Sequence, residues 1–176
     1  DRLMKEGKEK EANEFRLLDP TDKSNTTGVQ YYDHNGYLNP CMDSSLNFVN
    51  KVIGEMQAMH KEAGQPLETW HFGGDEAKNI YLGAGYADKK SGAEGKGLID
   101  MSTQDKPWAK SQVCQAMLKE GKVEDLEHLP SYFAIQVSKL VNNHGIEKMM
   151  AWQDGVKDAK DASEFATKRM GVNFWD

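Results

Sequence analysis

Apolar residues recur along this chain in two rhythms. After Asp43, the residues Leu46, Val49, Val52, Ile53, Met56 and Met59 follow one another at steps of three and four. That spacing gathers them on one face of a helix. Asp43, Ser44 and Ser45 supply N-cap chemistry at its start; Gly64 is placed to cap its end, and Pro66 prevents continuation. The Met-containing stripe is expected to be core packing. A second strong helix is predicted from about Pro130 to Asn143, with Phe133, Val137, Leu140 and Val141 on one side and His144-Gly145 closing it. Weaker helical patterns cover residues 1–18, Glu76 to Tyr81, Lys110 to Glu120 and Ala159 to Lys168.

Short β-prone runs lie between them. Leu67 to Phe72 stops abruptly at Gly73-Gly74, Lys148 to Trp152 reads as a buried strand, and Gly171 to Trp175 is the next. Helix and strand alternate, which predicts parallel strands joined by crossover helices. Two polar, turn-rich stretches interrupt the pattern, Asp19 to Pro40 and residues 83–110. A connection as long as the first is more often functional than decorative inside a compact domain, and Tyr31, Tyr32 and Tyr37 are available to anchor it. Disorder is its alternative.

Composition narrows the class. The chain has 176 residues, one domain's worth, and 22 Lys and Arg against 28 Asp and Glu give a formal charge of -6. The charges are mixed, without the basic block that nucleic acid or an anionic membrane would call for. No run approaches the roughly 18 apolar residues of a membrane span. The first residues, Asp1 to Lys5, contain neither an initiator Met nor a signal core, and the last form an apparent strand. These ends predict a piece of a longer polypeptide. Cys41 and Cys114 have three fates open to them: pairing with each other, pairing with cysteines elsewhere, or remaining reduced.

The candidate chemistry sits where the first strand ends. Gly73-Gly74 removes two side chains and admits a close approach by backbone or substrate. Asp75 and Glu76 follow, two adjacent carboxyls at the carboxyl end of a parallel strand, where catalytic groups collect in α/β proteins. Like charges this close push one pKa upward, so one group can act as an acid near neutral pH. The same two residues also fit a plain helix cap and dipole complement, the commoner use of such a pair. A metal site at His71, Asp75 and Glu76 lacks a second His or Cys at a supporting spacing. Leu82 to Tyr86 resembles a dinucleotide loop only superficially, since no strand and good helix flank it. Aromatic placement favours catalysis. Trp152 and Trp175 end the next two predicted strands on the same edge, each followed by polar residues, as in pockets that stack on sugar rings. His34, His60, His128 and His144 read as surface or capping residues.

The run His71-Phe72-Gly73-Gly74-Asp75-Glu76-Ala77 resembles the signature of glycoside hydrolase family 20, the β-N-acetylhexosaminidases. Tyr37-Leu38-Asn39-Pro40, residues 106–112, Ala151-Trp152-Gln153-Asp154-Gly155 and residues 171–176 are similar to the bacterial chitobiases of that family. The resemblance implies an α/β fold, the central portion (about three βα units) of a (β/α)8 TIM barrel, with residues 1–176 forming part of one catalytic domain. It implies Glu76 as general acid, Asp75 as the partner that orients the substrate's 2-acetamido group, and Trp152 and Trp175 as aromatic walls for the terminal sugar. Substrates would be chitobiose and short chitin oligosaccharides, with no metal, organic cofactor or nucleic acid involved. The remaining barrel strands, with an Arg, a His-Asp pair, a Tyr and a further Trp, would come from the rest of the polypeptide. A periplasmic, outer-membrane-associated or secreted location is expected. The rival expectation is an inactive piece that at most binds carbohydrate or serves structurally.

Overall fold

The computed structural model describes residues 2–22, 24, 38–75 and 106–174. Two short helices open the chain, α1 (Arg2–Lys5) and α2 (Glu9–Glu14), in place of the single helix predicted there. Gly7 divides them at φ +73, a left-handed conformation that no helix continues through.

Helix α3 (Asp43–Glu62) and helix α5 (Leu129–Asn143) end in the same way. Gly64, at φ +69, donates to the Lys61 carbonyl while Gln65 N–H reaches His60 O. Gly145, at φ +75, donates to Asn142 O while Ile146 N–H reaches Val141 O. Both are Schellman ends, which satisfy the last carbonyls with a residue that tolerates positive φ. Between the two lies helix α4 (Gln112–Lys119), capped by Ser111, whose hydroxyl accepts from Cys114 N–H.

The start of α3 differs from expectation. Its N-cap is Met42 and no side chain caps it. The serines bind backward instead: Ser44 donates to Arg16 O and Ser45 to Asn39 O, tying the helix to the preceding segment. The apolar stripe is also narrower than predicted. Ile53 is fully buried, but Met56 is 38% and Met59 62% exposed. At 3.6 residues per turn, Met59 lies about 120° around the helix from Ile53, because each three-residue step turns the row back by about 60°.

The described residues also form three parallel strands: β1 (Thr69–His71), β2 (Lys148–Trp152) and β3 (Arg169–Asn173), in spatial order β1-β2-β3. Helices α3 and α5 cover one face, where Ile53, Phe133, Val137, Val141, Met149 and Ala151 share a core. Each fully buried aliphatic side chain there contributes on the order of 1.5–3 kcal/mol. The β2–β3 connection departs from the prediction of a helix over Ala159 to Lys168. It contains only one-turn 3-10 segments, Gln153–Gly155 and Ala162–Glu164. Serines of α5 bind this connection. Ser131 and Ser138 are buried, and their hydroxyls accept from Asp158 N–H at 3.1 Å and Ala166 N–H at 2.9 Å. Ala166 N–H, which a helix over residues 159–168 would have satisfied internally, is satisfied by a neighbouring helix instead.

A second, smaller core surrounds a Cys41–Cys114 disulfide, joined by Trp108, Met117 and Leu129. Trp108 stands at φ +58 behind Pro107, a strained position stabilised by the burial of its ring. Asp19 anchors the polar side of this core. Its carboxylate accepts from Ser111 Oγ at 2.6 Å and from Thr21 N–H and Oγ1 at 2.8 and 2.7 Å. Burial alone would raise the Asp19 pKa; the hydrogen bonds from Ser111 and Thr21 outweigh it and hold the carboxyl below its ordinary value. His60, His128 and His144 occupy helix ends, as expected. The predicted helix over Glu76 to Tyr81, His34 and most of the two turn-rich stretches lie outside the described residues.

The disulfide closes a separation of 73 residues, so replacing both cysteines by serine should lower unfolding free energy by about 2–4 kcal/mol in denaturant titrations. A depressed Asp19 pKa adds stability above the unfolded value of about 3.9, and that stability is lost as pH falls through the folded value. Asp19→Asn should therefore be less stable at neutral pH and show a shallower loss of stability on acidification, followed by circular dichroism.

Candidate active site

Alternation along the strands sends Met149 and Ala151 into the helical core and turns Lys148, Met150 and Trp152 to the opposite face. Register carries this to the neighbours. Trp70, Met149 and Met170 are level, as are His71, Met150 and Gly171, and Trp152 stands level with Asn173. His71, Trp152 and Asn173 consequently share one face at the carboxyl edge of the sheet.

The β1–β2 ladder runs past the end of β1. Phe72 N–H donates to Met150 O at 2.7 Å and Trp152 N–H to Gly73 O at 2.9 Å. The chain then turns through Gly73 (φ +80) and Gly74 (φ +89), conformations that L side chains rarely adopt. Gly74 has a second reason to be glycine. A Cβ there would stand 2.9 Å from Gly155 Cα, and one on Gly155 would stand 2.8 Å from Gly74 Cα. The turns after β1 and β2 thus meet backbone to backbone. Asp75 follows with its side chain exposed at this edge.

His71 is the hub of the edge. Its Nδ1 accepts from Gly73 N–H at 3.0 Å. Its ring meets the Trp152 ring edge-on, with centroids 5.8 Å apart and planes at 60°. The Asn173 side-chain amide lies 3.2 Å from Nε2. The Asn173 atom at that distance is Nδ2; with Nδ1 accepting, the neutral ring carries its proton on Nε2, so a hydrogen bond to Asn173 requires the amide turned to put its oxygen there.

Of the residues singled out from sequence, Asp75 and Trp152 stand at the same edge, in adjoining turns. Glu76 and Trp175 lie outside the described residues, as does the loop Leu82 to Tyr86. Strand β3 ends at Asn173, two residues before Trp175, so the polar partner level with Trp152 is Asn173. Asn173 and Gly155 were not singled out by the sequence reading. Their signals were a polar residue inside an apolar run and a glycine closing a polar turn. Among the described residues no three His, Cys, Asp or Glu side chains converge as metal ligands, and no helix is long and apolar enough to cross a membrane.

Residues 4–176 match the family model described as glycosyl hydrolase family 20, catalytic domain. The chain belongs to this family. It is 57% identical over its whole length to the N,N'-diacetylchitobiase of Vibrio harveyi, covering 20% of that protein. It is 32% identical over 99% of its length to a β-hexosaminidase of Vibrio vulnificus, covering 18% of it. β-Hexosaminidase B of Pseudoalteromonas piscicida is 28% identical over 92% of this chain, with 17% of that protein covered. The chain thus spans about one-fifth of the length of the relatives it matches. A solved family 20 exo-β-N-acetylglucosaminidase from Vibrio harveyi, in complex with N-acetylglucosamine, superposes on 91% of the chain and 19% of its own, with a TM-score of 0.58. At 19% identity that likeness shows the fold.

The Gly74–Gly155 contact leaves no room for a methyl group. Gly155→Ala should force the two turns apart, costing about 1–3 kcal/mol as overpacked sites do, and thermal unfolding of the variant would show it.

Proposed function

We propose that the intact protein is an exo-acting β-N-acetylhexosaminidase that releases terminal N-acetylglucosamine from chitobiose and short chitin oligosaccharides. In this reading β1, β2 and β3 are consecutive strands, the fourth to sixth, of a (β/α)8 barrel. The observation that carries it is Asp75, held just beyond a Gly-Gly turn at the carboxyl edge of a parallel sheet in a family 20 chain. Family membership, the whole-length similarity to a chitobiase and the neighbouring Trp152 support it.

In this reading Asp75 and Glu76 are the two carboxyls, and the substrate itself supplies the nucleophile. Glu76 protonates the glycosidic oxygen as the bond from the anomeric carbon breaks. The carbonyl oxygen of the substrate's own 2-acetamido group forms the new bond to that carbon, giving an oxazolinium ion. Asp75 accepts the acetamido N–H and stabilises the positive charge spreading onto it. Water then attacks the anomeric carbon, gives its proton to Glu76, and the acetamido oxygen departs, so configuration is retained. Such substrate assistance is the known exception to the scheme of an acid and a separate carboxylate nucleophile. Trp152 and Trp175 supply apolar faces against the sugar.

Among the described residues nothing pairs with the outer edges of β1 and β3, and Phe174 is 77% exposed beside the second. We assign activity to the intact protein, with the remaining strands closing the barrel, and none to residues 1–176 alone. The disulfide supports a periplasmic, outer-membrane-associated or secreted location, since such bonds persist in oxidising compartments.

A chromogenic β-N-acetylglucosaminide assay tests the reading. The intact protein should turn it over, Glu76→Gln should lose about 10²–10⁴ in kcat on poor leaving groups, and residues 1–176 alone should be inactive. Unchanged turnover in Glu76→Gln would remove it as the acid, and turnover by the isolated chain would refute the need for further strands.

A further inference from the structure

We infer that His71 is a positioning residue for this site, acting through the Gly73 N–H to hold the turn that presents Asp75 and, through its ring, the face of Trp152. The inference rests on the reading just proposed and adds a residue to it.

The geometry is specific. Strands β1 and β3 do not pair; β2 lies between them. The imidazole of His71 nevertheless reaches both neighbours, meeting Trp152 on β2 and Asn173 on β3. Gly171, level with His71, carries no side chain, and Met150 between them lays its own over that position. On its own strand the ring takes the N–H of Gly73, the first residue of the positive-φ turn. Gly73 in turn receives Trp152 N–H on its carbonyl. One ring therefore links the turn bearing Asp75, the aromatic face and the third strand.

Such an arrangement contributes more to geometry than to stability. His71 is exposed in this chain, and water can replace either hydrogen bond, so each is worth only about 0.5–1.5 kcal/mol net. A plain surface histidine would have the same small effect on stability. It would not, however, sit four residues before Asp75 with both nitrogens and its ring edge engaged by three different elements. A displacement of about 1 Å at a reacting group can cost about a hundredfold in rate.

The test uses the intact protein and a chromogenic β-N-acetylglucosaminide. In His71→Asn the side-chain oxygen stands near the place of Nδ1 and keeps an acceptor for Gly73 N–H. In His71→Gln the amide reaches toward the place of Nε2 and keeps the Asn173 link without the Gly73 one. His71→Ala should lose about a hundredfold in kcat, with KM changed less than about threefold and the thermal midpoint nearly unmoved. His71→Asn should recover at least about tenfold of that loss and exceed His71→Gln by a similar factor. Wild-type kcat in His71→Ala overturns the inference. So does a His71→Gln variant as active as His71→Asn, a comparison that decides the matter even if the alanine variant does not fold. Absence of turnover in the wild-type protein sinks the parent reading and this inference together, whereas an active wild type with indifferent variants sinks only the inference.

Discussion

Strand β2 is hydrogen-bonded on both sides and buried on one face, and that combination constrains everything around it. Met149 and Ala151 must face α3 and α5, so Lys148, Met150 and Trp152 must face away. A slip of one residue would push a lysine and a tryptophan into the helical core. Both neighbouring strands inherit the register, with Trp70 and Met170 level with Met149. The side chains at the carboxyl edge are delivered together as a consequence of packing at the opposite face.

Small residues then decide how closely the connections approach. Ser131 and Ser138 let the β2–β3 connection lie against α5 and accept two of its N–H groups. Gly74 and Gly155 do the same for the two turns at the carboxyl edge. Absent side chains, more than contacts made by large ones, set the distance between the segment holding Asp75 and the strand holding Trp152.

The order of helices and parallel strands was legible because it rests on periodicity and on glycines at helix ends, both local signals. The Gly73-Gly74 turn and the position of Asp75 were legible for the same reason. What was not legible depends on partners distant in the chain. Ser44 and Ser45 bind carbonyls of earlier segments where a cap was expected, and the polar stretch over Ala159 to Lys168 forms no α-helix, with Ala166 N–H bound by Ser138 of α5. The pairing of Cys41 with Cys114 was one of three options until the fold brought them together. Asn173 had only a faint local mark, a polar residue inside an apolar run; its place is defined by its register with Trp152 and by His71, 102 residues earlier.

The Cys41–Cys114 bond makes a covalent ring of the intervening chain, and Asp75 lies inside that ring. A protease that nicks the backbone once between the two cysteines opens the ring without releasing a fragment. The two halves stay bonded, and the cut remains silent until a thiol is added. Such closure means that the strand end carrying the carboxyl cannot be lost by a single cleavage within the ring.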